Sequence, residues 1–94
     1  MKRYYSHYTY IYPNTYLKNS VVELDNTNNI VKVFPFEKEI EKTEFSAGVL
    51  FFVPNTFRIN PYFVDYTKKQ LFEILGEETQ ENIEVNAIIC NLED

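Results

Sequence analysis

The chain has 94 residues, a formal net charge of -5, 45% hydrophobic and 17% aromatic residues, two glycines and one cysteine. Length and apolar content predict a single small globular domain over 1–94 and exclude a disordered tract. The acidic balance, with nine scattered Lys and Arg, argues against nucleic acid and against an anionic membrane surface, both of which reward clustered basic side chains.

Residues 3–12 alternate, and within them YYSHYTYIY holds five of the eight tyrosines and the single histidine. Tyr4, Ser6, Tyr8, Tyr10 and Tyr12 are expected on one face, with Tyr5, His7, Thr9 and Ile11 on the other. Aromatic and β-branched residues in this pattern predict a strand. Pro13 and Asn14 then favour a turn. LKNSVVELD (17–25) and IVKVFPF (30–36) are two further strands, joined as a hairpin through NTNN, where Asn is expected to supply positive φ in a chain so poor in glycine. Pro35 is expected to close the third strand or hold it at an edge.

EKEIEKTE (37–44) is polar apart from Ile40 and reads as at most a helical turn. Its Glu37, Glu39 and Glu41 alternate with Lys38 and Lys42, the pattern of a solvated ladder rather than of acid–base chemistry. AGVLFFVP (47–54) is the most apolar stretch and predicts a central strand buried on both sides. NTFRINP (55–61) reads as a short extended segment. A helix is predicted at 68–75, with Thr67 as N-cap, Gln70 in capping-box position and Gly76 as terminator. Leu71, Phe72 and Leu75 would dock it on AGVLFFV or a neighbouring strand. The late acids Glu73, Glu77, Glu78, Glu81 and Glu84 read as a solubilising surface. IEVNAIICNL (83–92) is a last strand.

These elements predict an α+β fold: a mostly antiparallel sheet of five or six strands, β-sandwich-like or a meander, with one short helix near 68–75. No catalytic set is visible. His7 has no second histidine with which to hold a metal. Cys90 lies in an apolar strand with no base near it in sequence. Two isolated glycines cannot build a phosphate loop. No catalytic residue, cofactor or metal ligand is therefore expected. MKRYYSHYTY lacks the apolar run of a signal peptide, no segment approaches ~20 apolar residues, and one cysteine makes no intrachain disulfide, so a cytoplasmic protein is the default.

YTYIYPNTYLKNSVVELDNTNNIVKVFPF, then EKEIEKTEF, then SAGVLFFVP give a strand, turn, strand, acidic hairpin, proline-ended strand, spacer and proline-ended apolar strand. Over residues 8–54 this resembles the small composite β-domain at the start of metal-dependent amidohydrolases. In that comparison Asn29 replaces the hairpin glycine. After Pro54 the chain reads NTFRINP where the family has its metal-binding histidines, and the remaining ~40 residues cannot form a (β/α)₈ barrel. The resemblance therefore implies a β-module without the catalytic half, and no site residue transfers.

The expected function is a non-catalytic protein-interaction or scaffolding module. Tyr4, Tyr8, Tyr10 and Tyr12 are its candidate surface, and another protein or a second copy its partner. The alternatives are a small-molecule-binding domain with a tyrosine-lined pocket anchored by His7 or Arg58, or a stand-alone relic of an amidohydrolase β-domain.

Overall fold

The computed structural model describes residues 1–92. Among them are β1 (Lys2–Ile11), β2 (Thr15–Leu24), β3 (Ile30–Pro35), β4 (Thr43–Pro54), α1 (Pro61–Leu75) and β5 (Val85–Cys90). The strands form one sheet in the order β3-β2-β1-β4-β5. β1–β2 and β2–β3 pair antiparallel, whereas β1–β4 and β4–β5 pair parallel. The α+β class, the five strands and the single helix agree with the sequence. The pairing is mixed: a three-stranded meander joined to a β4–α1–β5 crossover unit. It is one sheet, not two stacked as a sandwich. The strands within 8–54 are neighbours, in the order β3-β2-β1-β4.

The central strands lose their regularity at one level. Asn19 in β2 has φ 50, Gly48 in β4 has φ 118, and the β1–β4 register shifts between Ser6 and Tyr8. Ser6 Oγ donates to Gly48 O at 2.7 Å and accepts Tyr8 N–H at 3.3 Å. Such a bulge bends a sheet and re-aims the side chains beyond it. Tyr8, Tyr10, Val49, Phe51 and Val53 consequently join Leu71 and Phe72 in one core, whereas Tyr4 flanks a second core of Ile11, Val22, Leu24, Leu50, Phe52 and Cys90. The expected single face of Tyr4, Tyr8 and Tyr10 is thus corrected, because the alternation slips by one at His7.

The second core lies in a curl of the sheet. In a flat sheet β3 and β5 would stand about 19 Å apart, four strand spacings. Yet Asn91, after β5, donates its N–H to Asn28 O in the β2–β3 turn at 2.8 Å, and its side chain reaches Thr27 O. The far edges are fastened across the concave face. The β2–β3 turn is built on Asp25, whose Oδ1 accepts Thr27 N–H at 2.9 Å and Asn29 N–H at 3.0 Å. Asn28 takes the positive φ, 64, one residue before the Asn29 singled out by the resemblance.

The helix spans Pro61–Leu75, two turns longer than predicted. Asn60 is its N-cap, accepting Phe63 N–H at 2.9 Å, and Pro61 opens the first turn. Thr67 is a buried helical residue, not the cap. Gly76, at φ 71, ends the helix as predicted, and Glu77 N–H closes back on Phe72 O at 2.8 Å. Leu71 and Phe72 are fully buried against β1 and β4 residues, each contributing about 1.5–3 kcal/mol of burial. Val49 through Pro54 are all buried, as expected of a central strand.

Residues 36–42 form an irregular crossover rather than a helical turn, so Glu37–Lys42 make no helical ladder. Tyr5, Phe36 and Phe45 form a triangle of rings, Tyr5 lying 4.6 and 5.4 Å from the other two, which are 6.3 Å apart, and Arg3 Nη1 donates to Glu41 O at 3.1 Å. β5 is confined to Val85–Cys90, shorter than the predicted 83–92.

The two glycines separate strain from clash. A Cβ on Gly48 would lie 2.4 Å from Glu84 O, whereas one on Gly76 meets nothing within 4 Å. Gly76→Ala is expected to cost about 1 kcal/mol and Gly48→Ala clearly more, about 2–3 kcal/mol, in urea unfolding. Equal costs would count against the close approach of β4 to Glu84.

Candidate functional site

The tyrosines of β1 do not gather into one exposed patch. Tyr8 is 4% and Tyr10 2% exposed, both under α1. Tyr10 donates to Pro13 O at 2.9 Å, and burial, then Tyr16 and Tyr12, push its phenol up to about 12. Tyr12 packs on Phe57, centroids 5.0 Å apart. Tyr4 turns to the concave side and meets Phe52 edge-on at 6.0 Å. These rings fill the fold, which is where most of the aromatic content goes.

His7 is exposed, and its neighbours are structural. Its Nδ1–H donates to Asn19 Oδ1, which also accepts Tyr5 O–H at 3.0 Å, while Asn19 O accepts Phe36 N–H at 2.8 Å. Beside it, Tyr8 O–H donates to Glu77 Oε1 at 2.7 Å and Lys18 pairs with Oε2. Lys18 and then Tyr8 hold the Glu77 carboxyl below its ordinary range. Read from sequence as part of a solvated cluster, Glu77 instead ties the end of α1 to β1 and β2. Cys90 is 1% exposed, and burial pushes its thiol up to about 11, the opposite of what a nucleophile needs. Among the described residues, no three His, Cys, Asp or Glu side chains gather as metal ligands, and no helix is long and apolar enough to cross a membrane.

The sheet edges differ from each other. β3 carries Lys32, which lies over Phe34 at 5.1 Å, ends at Pro35, and shifts register between Glu23 and Leu24. Charge, proline and irregularity are the devices that keep an edge from pairing further. β5, VNAIIC, has none of them: its register with β4 runs unbroken from Val49↔Val85 to Pro54↔Cys90. Val49 N–H donates to Glu84 O at 2.8 Å. In a parallel ladder the bonds leave from alternate residues, so Asn86, Ile88 and Cys90 turn their amides to β4. Val85, Ala87 and Ile89 present theirs outward, and Ile89 is 47% exposed.

β5 begins opposite Val49, so the edge steps inward below Val85 onto the first half of β4. A cleft of about 450 Å³ occupies the step. Tyr4, Leu50 and Ile88 supply its apolar lining, and Glu44 and Glu84 its charge, with no Lys, Arg or His. Asn86 Nδ2 donates to Ser46 Oγ at 3.3 Å beside it. Burial, then Glu44, raises the Tyr4 phenol. Of the residues expected around a pocket only Tyr4 lines this one; His7 and Arg58 do not. The sequence reading missed Glu44, Glu84 and the β5 edge. The absence of charge and proline from VNAIIC was the available signal.

No family model, no curated protein and no solved structure matches the chain.

The Asp25 turn and Glu77 both contribute to the acid behaviour. Backbone N–H groups of Asn29 and Thr27 lower the Asp25 carboxyl from 3.8 to about 2. A carboxyl that ionises more readily folded than unfolded stabilises the fold above its unfolded value, and that contribution is lost as pH falls through the folded value. Stability is therefore expected to drop from about pH 5 towards pH 2. Asp25→Asn should flatten that limb in urea titrations at stepped pH; an unchanged limb would assign it to other carboxyls.

Proposed function

We propose that this chain is a non-catalytic interaction module that takes an extended segment of another protein along the β5 edge. The carrying observation is the contrast between the guarded β3 edge and the regular, uncharged, proline-free β5 edge with its outward amides. The side chains flanking those amides are mixed, Glu84 and Asn86 interspersed with Val85, Ala87, Ile88 and Ile89. Strand addition draws its affinity from outward backbone groups and its specificity from side-chain pockets beside them. The interaction surface thus moves from Tyr4, Tyr8, Tyr10 and Tyr12 to Val85, Ala87 and Ile89, with Tyr4 retained at the adjoining cleft. A heterologous partner is favoured over a second copy, because two chains of net charge -5 repel. The single cysteine, buried and far from a thiolate, suits a cytoplasmic setting.

The amidohydrolase-type reading leads to the same role. It requires residues 8–54 to form one contiguous β-unit in sequence order; β1 to β4 are contiguous in the sheet, but in the order β3-β2-β1-β4, with β4 beside β1 rather than β3. Without the barrel such a module would bind rather than catalyse. The small-molecule reading would use the same cleft, and a thermal-shift screen with metals and metabolites tests it.

The edge reading predicts a local signature. In amide-exchange NMR, Val85, Ala87 and Ile89 N–H should exchange quickly in the free protein. They should become protected when a seven-residue peptide of alternating Thr and Val is added. Protection of β3 amides instead would refute the assignment.

A further inference from the structure

Resting on the β5-edge reading, we infer that the cleft at the step selects a lysine or arginine in the incoming segment. A strand laid along Val85–Cys90 continues past Val85 towards the first half of β4, which pairs with β1 but is unpaired on its β5 side. There it meets a cleft whose lining includes Tyr4, Leu50 and Ile88 together with Glu44 and Glu84. Long basic side chains suit that arrangement: the methylene stem lies on apolar surface while the charged head stays at a wet, acidic rim. An acidic side chain would face two like charges with no cation lining the cleft. A purely apolar one would leave both carboxylates without a counter-charge. The Glu84 carbonyl is fixed by Val49 N–H, and a side chain at Gly48 is excluded by Glu84 O, so the backbone framing the cleft is held in place. The occupant is therefore an extended segment of β-branched residues with a basic residue at the end that overruns β5. Like-charge repulsion disfavours a second copy of this acidic chain at the same place.

The test uses fluorescein-labelled peptides of alternating Thr and Val, with Lys, norleucine or Glu at either end, titrated by fluorescence anisotropy. Circular dichroism confirms the fold of each variant. The Lys peptide should bind roughly tenfold tighter than the Glu peptide at low salt, the gap narrowing as salt rises. The double variant Glu44→Gln, Glu84→Gln should erase the gap while keeping the binding itself. Ala87→Pro, which removes an outward donor without touching the β4 ladder, should weaken all three peptides. If all peptides bind alike and Ala87→Pro abolishes binding, the edge stands and the basic preference is overturned. If no peptide binds, or Ala87→Pro binds as well as the natural chain, the edge reading falls and takes this inference with it. A dimer in sedimentation that Ala87→Pro dissolves would name a second copy as the occupant and refute the basic segment.

Discussion

The fold depends on a bend, and the bend depends on Asn19. Its φ of 50 suits Asn better than most residues. Its amide oxygen accepts hydrogen bonds from Tyr5 and His7, and its backbone oxygen accepts one from Phe36 N–H. One residue thereby fixes where β2 turns, how β1 slips, and where the chain leaves β3 to cross the sheet. Gly48 makes the matching adjustment in β4, beside the backbone of Glu84. Without this line of irregularity a single sheet with one helix would leave one face uncovered. With it, α1 covers one core, Phe36 of the crossover packs with Tyr5 and the half-exposed Phe45, and the curl encloses the other core.

That solution spends the aromatic residues on structure. Tyr8 and Tyr10 interlock with Phe72, Phe51 and Phe63 beneath the helix, and Tyr8 also holds Glu77. What remains for recognition is backbone. One edge is blunted by Lys32, Pro35 and a register shift, and the other is left plain. In a chain that otherwise protects itself with a helix, a crossover and a fastened turn, the plain edge is the feature without a structural purpose. It is therefore the one on which the proposed binding role rests.

Much of this architecture was legible in the sequence. Alternation marked the first strand, continuous apolarity marked AGVLFFV as central, and Gly76 marked the helix end. The parallel pairings were not, because nothing in a strand's own letters states which neighbour it will join. The helix start was misread for a local reason. YFVDY, aromatic and β-branched, offers only modest helix propensity, while Asn60 and Pro61 carry the cap signal, and Phe63 and Val64 pack against the core. The tyrosine stripe was misread because a one-residue slip at His7 is invisible to a period-2 count. The cleft was missed because Glu44 and Glu84 are 40 positions apart and meet only once β5 aligns on β4.

That alignment has a kinetic side. β4 pairs in parallel with β1 across roughly forty intervening residues, and its other neighbour arrives only after the helix has been made. Distant pairings of this kind close late, since the chain entropy of the loop must be lost first. Until β5 docks, VLFFV, although paired with β1 on one side, has an unpaired hydrophobic edge on the other, an exposure of the kind that favours association of incompletely folded chains. β5 thus also serves as a shield, covering an edge of the very sequence that organises the interior.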